Sequence, residues 1–254
     1  MEIQFKKLRK FNLIMGCFHF VQGLLMLILS LTWSNIKEFK PTIWSNYLEF
    51  RAGEGLVSNP QPLFDLPFGV LVSMFLFLSA LAHFIISLLK KTNEVYNHGL
   101  ENNINVFRWY EYALSSSLMI VLIATLFGVF DIGALILVFI LNAIMNLFGL
   151  IMEKMNQGKE KVDWTAFIYG SIAGIGPWIV IVLYAFGNAN PQEVPWFVYA
   201  IVGSYFVFFN LFPINMILQY KKVGKWKNYL YGERGYIILS LLAKSVLAWL
   251  VLFG

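Results

Sequence analysis

Cysteine is nearly missing from this chain: Cys17 is the only one in 254 residues, so no internal disulfide can form and cysteine usage is silent about redox compartment. Charge is scarce too, at 13% of residues. No metal-ligand cluster, Ser-His-Asp set, Gly-rich phosphate loop or aspartate pair is spaced for catalysis, and the chain is read as a non-enzyme. Apolar residues reach 59%, with 24 Phe and 8 Trp, well above the roughly half expected of a soluble domain. The chain is an integral membrane protein, and its lipid bilayer is its first partner.

Seven hydrophobic stretches are long enough to cross ~30 Å of hydrocarbon as helices: 11–32, 66–89, 104–129, 132–152, 164–187, 195–219 and 233–253. The predicted fold is an all-α membrane protein, a seven-transmembrane-helix bundle forming a single domain over 1–254. A basic run precedes the first stretch, about twenty apolar residues follow, and no small-x-small cleavage site appears, so it reads as a retained signal anchor. With the N-terminus cytoplasmic, inner segments hold 14 Lys and Arg and outer loops only Lys37, Lys40 and Arg51, once Arg108 and Lys244 are set aside as membrane residues. The positive-inside rule then places the N-terminus inside and the C-terminus outside. The basic residues are dispersed among helix ends and suit anionic lipid, not nucleic acid.

Residues 33–65, rich in turn formers and aromatics (Trp33, Pro41, Trp44, Pro60, Pro62), form the one long connection. Loops of that length carry structure or function. A folded extracellular cap with a short hairpin is expected, either functional or simply a lid on the bundle.

Lys244 is the only lysine inside a hydrophobic segment, and a mid-bilayer cation is unfavourable by roughly 3 kcal/mol, which marks it as functional. Glu111 is expected to be the only carboxylate well inside a segment. Arg108, Glu111 and Ser115 recur at three and four residues and share a helical face, with Arg108 expected to snorkel toward the cytoplasm or to pair with Glu111 structurally. Ser240 stands one turn before Lys244. In Phe209-Asn-Leu-Phe212-Pro213 the proline frees a backbone carbonyl and kinks the helix around a packed group. An apolar bundle favours the neutral amine needed for condensation with an aldehyde, and the protonated imine that results requires a nearby anion.

Arg-x-x-acid at 108–111, aromatic-x-x-aromatic-Pro at 209–213 and a lysine midway along the seventh segment resemble microbial retinal proteins. Glu111 in the counterion place, Ser115-Ser116-Ser117, Ser240 where an aspartate often stands, Phe209 where ion pumps usually carry tryptophan, and the long first outer loop make the resemblance one to heliorhodopsins, over essentially the whole chain. Their inverted orientation agrees with the charge-derived one. The resemblance implies all-trans retinal on Lys244 as a protonated Schiff base, Glu111 as counterion and Ser240 beside them. Arg108, Trp109, Tyr112, Ser115, Met119, Asn142, Met145, Pro177, Phe206, Phe209 and Phe212 are the further candidate retinal-site residues. It also implies that His19 and His83 accept the Schiff-base proton; the alternative is a neutral, hydrogen-bonded pair without photochemical role. A homodimer through the fourth and fifth helices follows from the same resemblance, and Gly170-Ser-Ile-Ala-Gly174 serves that interface or packing within the bundle.

The function expected is light sensing in the plasma membrane, with a slow photocycle read by an unnamed cytoplasmic signalling partner. Position 122 is leucine where outward proton pumps carry an acid, and the last three helices are expected to lack core acids. Ion or proton transport is therefore the second reading, and a retinal-free carrier or intramembrane enzyme the third.

Overall fold

The computed structural model describes residues 2–187 and 196–253. Met1, Gly254 and Pro195, which begins the sixth expected span, lie outside the described residues. The chain runs α1 (Glu2–Thr32), α2 (Ser34–Glu38), β1 (Thr42–Arg51), β2 (Gly55–Asp65), α3 (Phe68–Leu88), α4 (Lys90–Glu101), α5 (Val106–Leu126), α6 (Ile132–Met155), α7 (Thr165–Phe186), α8 (Trp196–Tyr220), a 3-10 turn at Gly224–Lys227 and α9 (Tyr229–Phe253). Among the described residues six helices are long and apolar enough to cross a membrane: α1, α3, α5, α6, α7 and α8. The fold is that of an all-α membrane protein with one small sheet. α9 has the length to span but carries Glu233, Arg234 and Lys244.

Local chemistry sets the helix ends. Asn105 and Asp131 cap α5 and α6, their side chains accepting from Arg108 N–H and Ala134 N–H three residues on. α5 stops at Gly128, whose φ of +92° only glycine adopts freely. Gly128 N–H donates to Thr125 O and Val129 N–H to Ala124 O, the paired bonds of a Schellman motif. α1 is longer than expected, beginning at Glu2, and α4 was not foreseen. It is amphipathic, burying Asn93, Tyr96 and Leu100 against the bundle.

The first long connection is a hairpin, as the turn formers suggested, preceded by the short α2. β1 and β2 pair antiparallel, with a register irregularity between Ile43 and Trp44. Pro60 and Pro62 are accommodated because β2 has a free edge in this two-stranded sheet. The hairpin is fastened to the α5–α6 turn: Trp44 N–H donates to Phe130 O at 2.9 Å, and Asn46 Nδ2 to Asp131 at 3.0 Å.

Most helices adjacent in sequence pack side by side, α7 and α8 meet through the Trp178, Tyr205, Phe206 and Phe209 rings, and α9 closes the arrangement against α1, α3 and α5. Toward the hairpin, an apolar core joins Phe75, Leu76, Ile120, Ile123 and Leu247. Toward the opposite end, a second gathers Trp109, Tyr112, Met152, Met216 and Tyr236. Ser79 on α3, Glu111 on α5 and Lys244 on α9 fall between these cores, so the helices hold a thin polar layer in an otherwise apolar bundle.

Candidate functional site

Lys244 is 3% exposed. Its Nζ donates to Glu111 Oε1 at 2.5 Å and to Ser79 Oγ at 2.5 Å, and Ser79 Oγ donates to the same carboxylate oxygen at 2.6 Å. The ammonium also lies 5.2 Å from the centroid of Tyr112. An amine this far from water is tolerated because a charge partner and a hydroxyl replace its hydration shell. Ser79 was missed from the sequence, since hydroxyls in membrane helices ordinarily bond their own backbone, as Ser79 also does to Phe75 O.

Lys244 forms one wall of an apolar cavity of about 290 Å³. Of the residues singled out from sequence, Trp109, Tyr112, Met119, Asn142, Met145, Phe209 and Phe212 line it as well. Ser115 and Pro177 are buried but do not line it, and Phe206 is 57% exposed. Its neighbour Tyr205 takes the inward place, stacked on Trp178 at 4.5 Å between ring centroids. Ser116, named from sequence only within the triple serine, also lines the cavity, as do Asn146 and Tyr236, which were not singled out. Asn142 Nδ2 donates to Ser116 and Ser117, and Asn146 Nδ2 to Ser116, which gives the apolar wall a polar strip. Gly149 keeps the space open, since a Cβ there would collide with the Trp109 ring; one at Gly174, behind the wall, would meet Met145 Sδ at 2.5 Å and Phe209 Cζ at 3.2 Å. Gly170 packs against Phe148, so the small-residue pattern on α7 serves packing between α6 and α7.

Arg108 corrects two expectations. It neither snorkels nor pairs with Glu111; it is 6% exposed and ion-paired to Glu153 on α6 and Glu233 on α9. Glu111 is accordingly not the only buried carboxylate, and the last helix does carry an acid in its packed interior. Glu153 also accepts from Asn105 N–H, Trp109 Nε1 and Tyr229 Oη, and Glu233 from Asn105 Nδ2 and Tyr96 Oη. The guanidinium lies 3.9 Å from the Tyr236 centroid and 4.8 Å from that of Trp109. Arg108 does not line the large cavity.

A second void, of about 40 Å³, lies between the two ion clusters and is bordered by Asn12, Ser79, His83, Arg108, Glu111, Glu233 and Ser240. Ser240 thus faces the polar side of the Lys244 layer. His19 and His83 stack, with centroids 5.6 Å apart and rings 15° from parallel. His83 Nδ1 is 2.8 Å from Asn12 Oδ1, whereas His19, fully buried, has no hydrogen-bond partner among the described residues.

The heliorhodopsin family model matches residues 8–254, nearly the whole chain. This chain belongs to the heliorhodopsin family. No curated protein matches it. The family is one of retinal-binding, light-sensing rhodopsins and implies a retinal chromophore. The residues present fit such a group: the heliorhodopsin cavity is walled by aromatic rings, methionines and glycine, as a polyene requires. Its one primary amine is buried and already faces a carboxylate.

Proposed function

We propose that this heliorhodopsin senses light through all-trans retinal joined to Lys244, with Glu111 as counterion, and signals without pumping ions. The observation that carries the proposal is the buried Lys244 Nζ, 2.5 Å from Glu111, at the wall of a 290 Å³ apolar cavity. Attached there as a protonated Schiff base, retinal supplies visible absorption and a light-driven change of double-bond geometry.

The rest falls to the protein. Glu111 neutralises the cation at Lys244, and Ser79 fixes the carboxylate oxygen that faces it. Ser240, one turn before Lys244, borders the void on the same side and supplies a hydroxyl there. Trp109, Tyr112, Met119, Met145, Phe209 and Phe212 hold the polyene and exclude water. Asn142 places its amide along the cavity wall, while Ser115 and Pro177 shape α5 and α7 from behind. His83, which borders the void beside Glu111, and His19 stacked on it are the proton acceptors. The chain acts as one seven-helix domain over 1–254, with α9 as the seventh crossing, the N-terminus cytoplasmic, the C-terminus outside and residues 33–65 as the outer cap. It resides in the plasma membrane as a homodimer, and its slow photocycle is read by a cytoplasmic partner as a shift between two bundle states. Leu122, fully buried, supports the absence of transport, because a proton relay needs a titratable group at that depth.

The test is an absorption spectrum of purified protein with and without added retinal. A visible band bleached by hydroxylamine and lost in Lys244→Ala is expected; a colourless protein overturns the proposal. Illuminated cells in weakly buffered medium are expected to leave external pH unchanged, and a sustained change would make the protein a transporter.

A further inference from the structure

Asn12 of α1 is 1% exposed and bonds three different residues. Its Nδ2 donates to Leu8 O at 3.1 Å and to Tyr96 Oη at 3.3 Å, and its Oδ1 lies 2.8 Å from His83 Nδ1. Which end of a side-chain amide is the oxygen is decided by its partners. A backbone carbonyl only accepts, so the amide hydrogens must face Leu8 O, and the one hydrogen of the Tyr96 hydroxyl is committed to Glu233 Oε1 at 3.0 Å. The amide cannot turn over.

With Oδ1 facing the imidazole and able only to accept, the hydrogen in that bond must come from His83 Nδ1. The other tautomer would set two acceptors against each other at 2.8 Å. Among the described residues this is the one hydrogen bond of the His83 ring, and its partner is neutral, so nothing there holds a second proton on the ring. A neutral imidazole with its hydrogen on Nδ1 carries its basic lone pair on Nε2. His19 covers one face of the ring without bonding to either nitrogen. His83 also borders the void of about 40 Å³, which has room for roughly two or three waters at about 10–15 Å³ each. The charged and titratable groups that share this void are Arg108, Glu111 and Tyr112 from α5 and Glu233 from α9, and Glu111 is the partner of Lys244.

We propose that Asn12 is a positioning residue for proton uptake, holding His83 as the Nδ1–H tautomer and leaving Nε2 as the accepting atom. In the transfer an N–H bond at Lys244 breaks, water in the void carries the proton, and an Nε2–H bond forms on His83. No electrons move, and the positive charge passes from Lys244 to the imidazolium, whose Nδ1–H still binds Asn12. The tautomer rests on the hydrogen bonds alone, whereas the uptake rests also on the light-sensing function proposed above.

Nitrogen-15 NMR of the full chain in lipid, labelled at its three histidines and assigned with His83→Gln, tests the tautomer first without retinal. A hydrogen on Nδ1 and a bare Nε2 are expected for His83, with the hydrogen moving to Nε2 in Asn12→Leu and staying on Nδ1 in Asn12→Asp, which keeps an acceptor oxygen in place. A bare Nδ1 or a doubly protonated ring in the unaltered protein overturns the tautomer even if the leucine variant folds poorly, and so does an Asn12→Leu spectrum that does not change. With retinal bound, flash photolysis is expected to show loss of the protonated chromophore slowed at least about tenfold in Asn12→Leu and restored by Asn12→Asp. An unchanged rate overturns the positioning role. A protein that shows the Nδ1–H tautomer but stays colourless with retinal defeats the light-sensing function and the uptake together, while the tautomer stands.

Discussion

The two buried ion clusters are built on opposite plans. Around Lys244, one amine, one carboxylate and one serine hydroxyl form a minimal set, with an apolar cavity on one side and a small void on the other. Around Arg108, two carboxylates receive bonds from three helices and the Asn105 cap, and a Tyr and a Trp ring cover the guanidinium. The first can change its bonding when a single proton moves or the amine is alkylated. The second is held by so many donors that losing one leaves the rest in place. The sparse cluster is therefore the reactive one, and the crowded one ties α5, α6 and α9 together at the end where α4 covers the bundle.

Removing the centre of each cluster should separate these roles most sharply. Lys244→Ala is expected to abolish visible absorption while leaving a folded protein, read by absorbance and gel filtration; retained colour would show another attachment point. Arg108→Met should do the reverse and destabilise the apoprotein by about 3–5 kcal/mol, since it strands two buried carboxylates. Thermal denaturation of the two variants side by side checks this, and equal melting would erase the contrast. Glu111→Gln is expected to keep the fold but to shift the absorption strongly to the red, or to leave the chromophore unprotonated at neutral pH, because the cation loses its anion. Gly149→Ala acts on the cavity through the crowded cluster. Trp109 is pinned by Glu153 at 2.7 Å and cannot swing away from the new methyl, so retinal uptake should slow or stop, measured as the rate of colour formation. The smallest effect is expected for Ser79→Ala, which removes a bond of about 1–2 kcal/mol from Glu111 and leaves the ion pair; a modest spectral shift should result.

The same contrast explains what the sequence disclosed. Lys244 and Glu111 were legible because charge in the middle of a long apolar run is rare, so each stood out singly. Glu153 and Glu233 were not, because they lie near the ends of α6 and α9, where acids are usually solvated. α4 and Asn105, which bury them, belong to a polar stretch without a membrane signal. α4 itself was passed over because only three of its residues face inward. The seven apolar runs gave the helices to within a few residues except at the start of α1, where Glu2 to Lys10 is polar but helical. On the cavity wall, Phe206 was named and Tyr205 was not: on a helix one residue is about 100° of rotation, which periodicity among so many aromatics does not resolve. Ser79 has no sequence mark at all, since its importance comes from α3 packing beside α5.

At the far tip of the hairpin, Gly53 and Gly55 turn the chain with φ of +90° and +81°, and nothing lies within 4 Å of where their side chains would be. The base of that arm is fixed to the α5–α6 turn, yet among the described residues its end makes no hydrogen bond to a helix. A fluorophore or epitope spliced into this turn would therefore be carried on a stiff mast, and could follow tilting of α5 and α6 under illumination without disturbing pigment or fold.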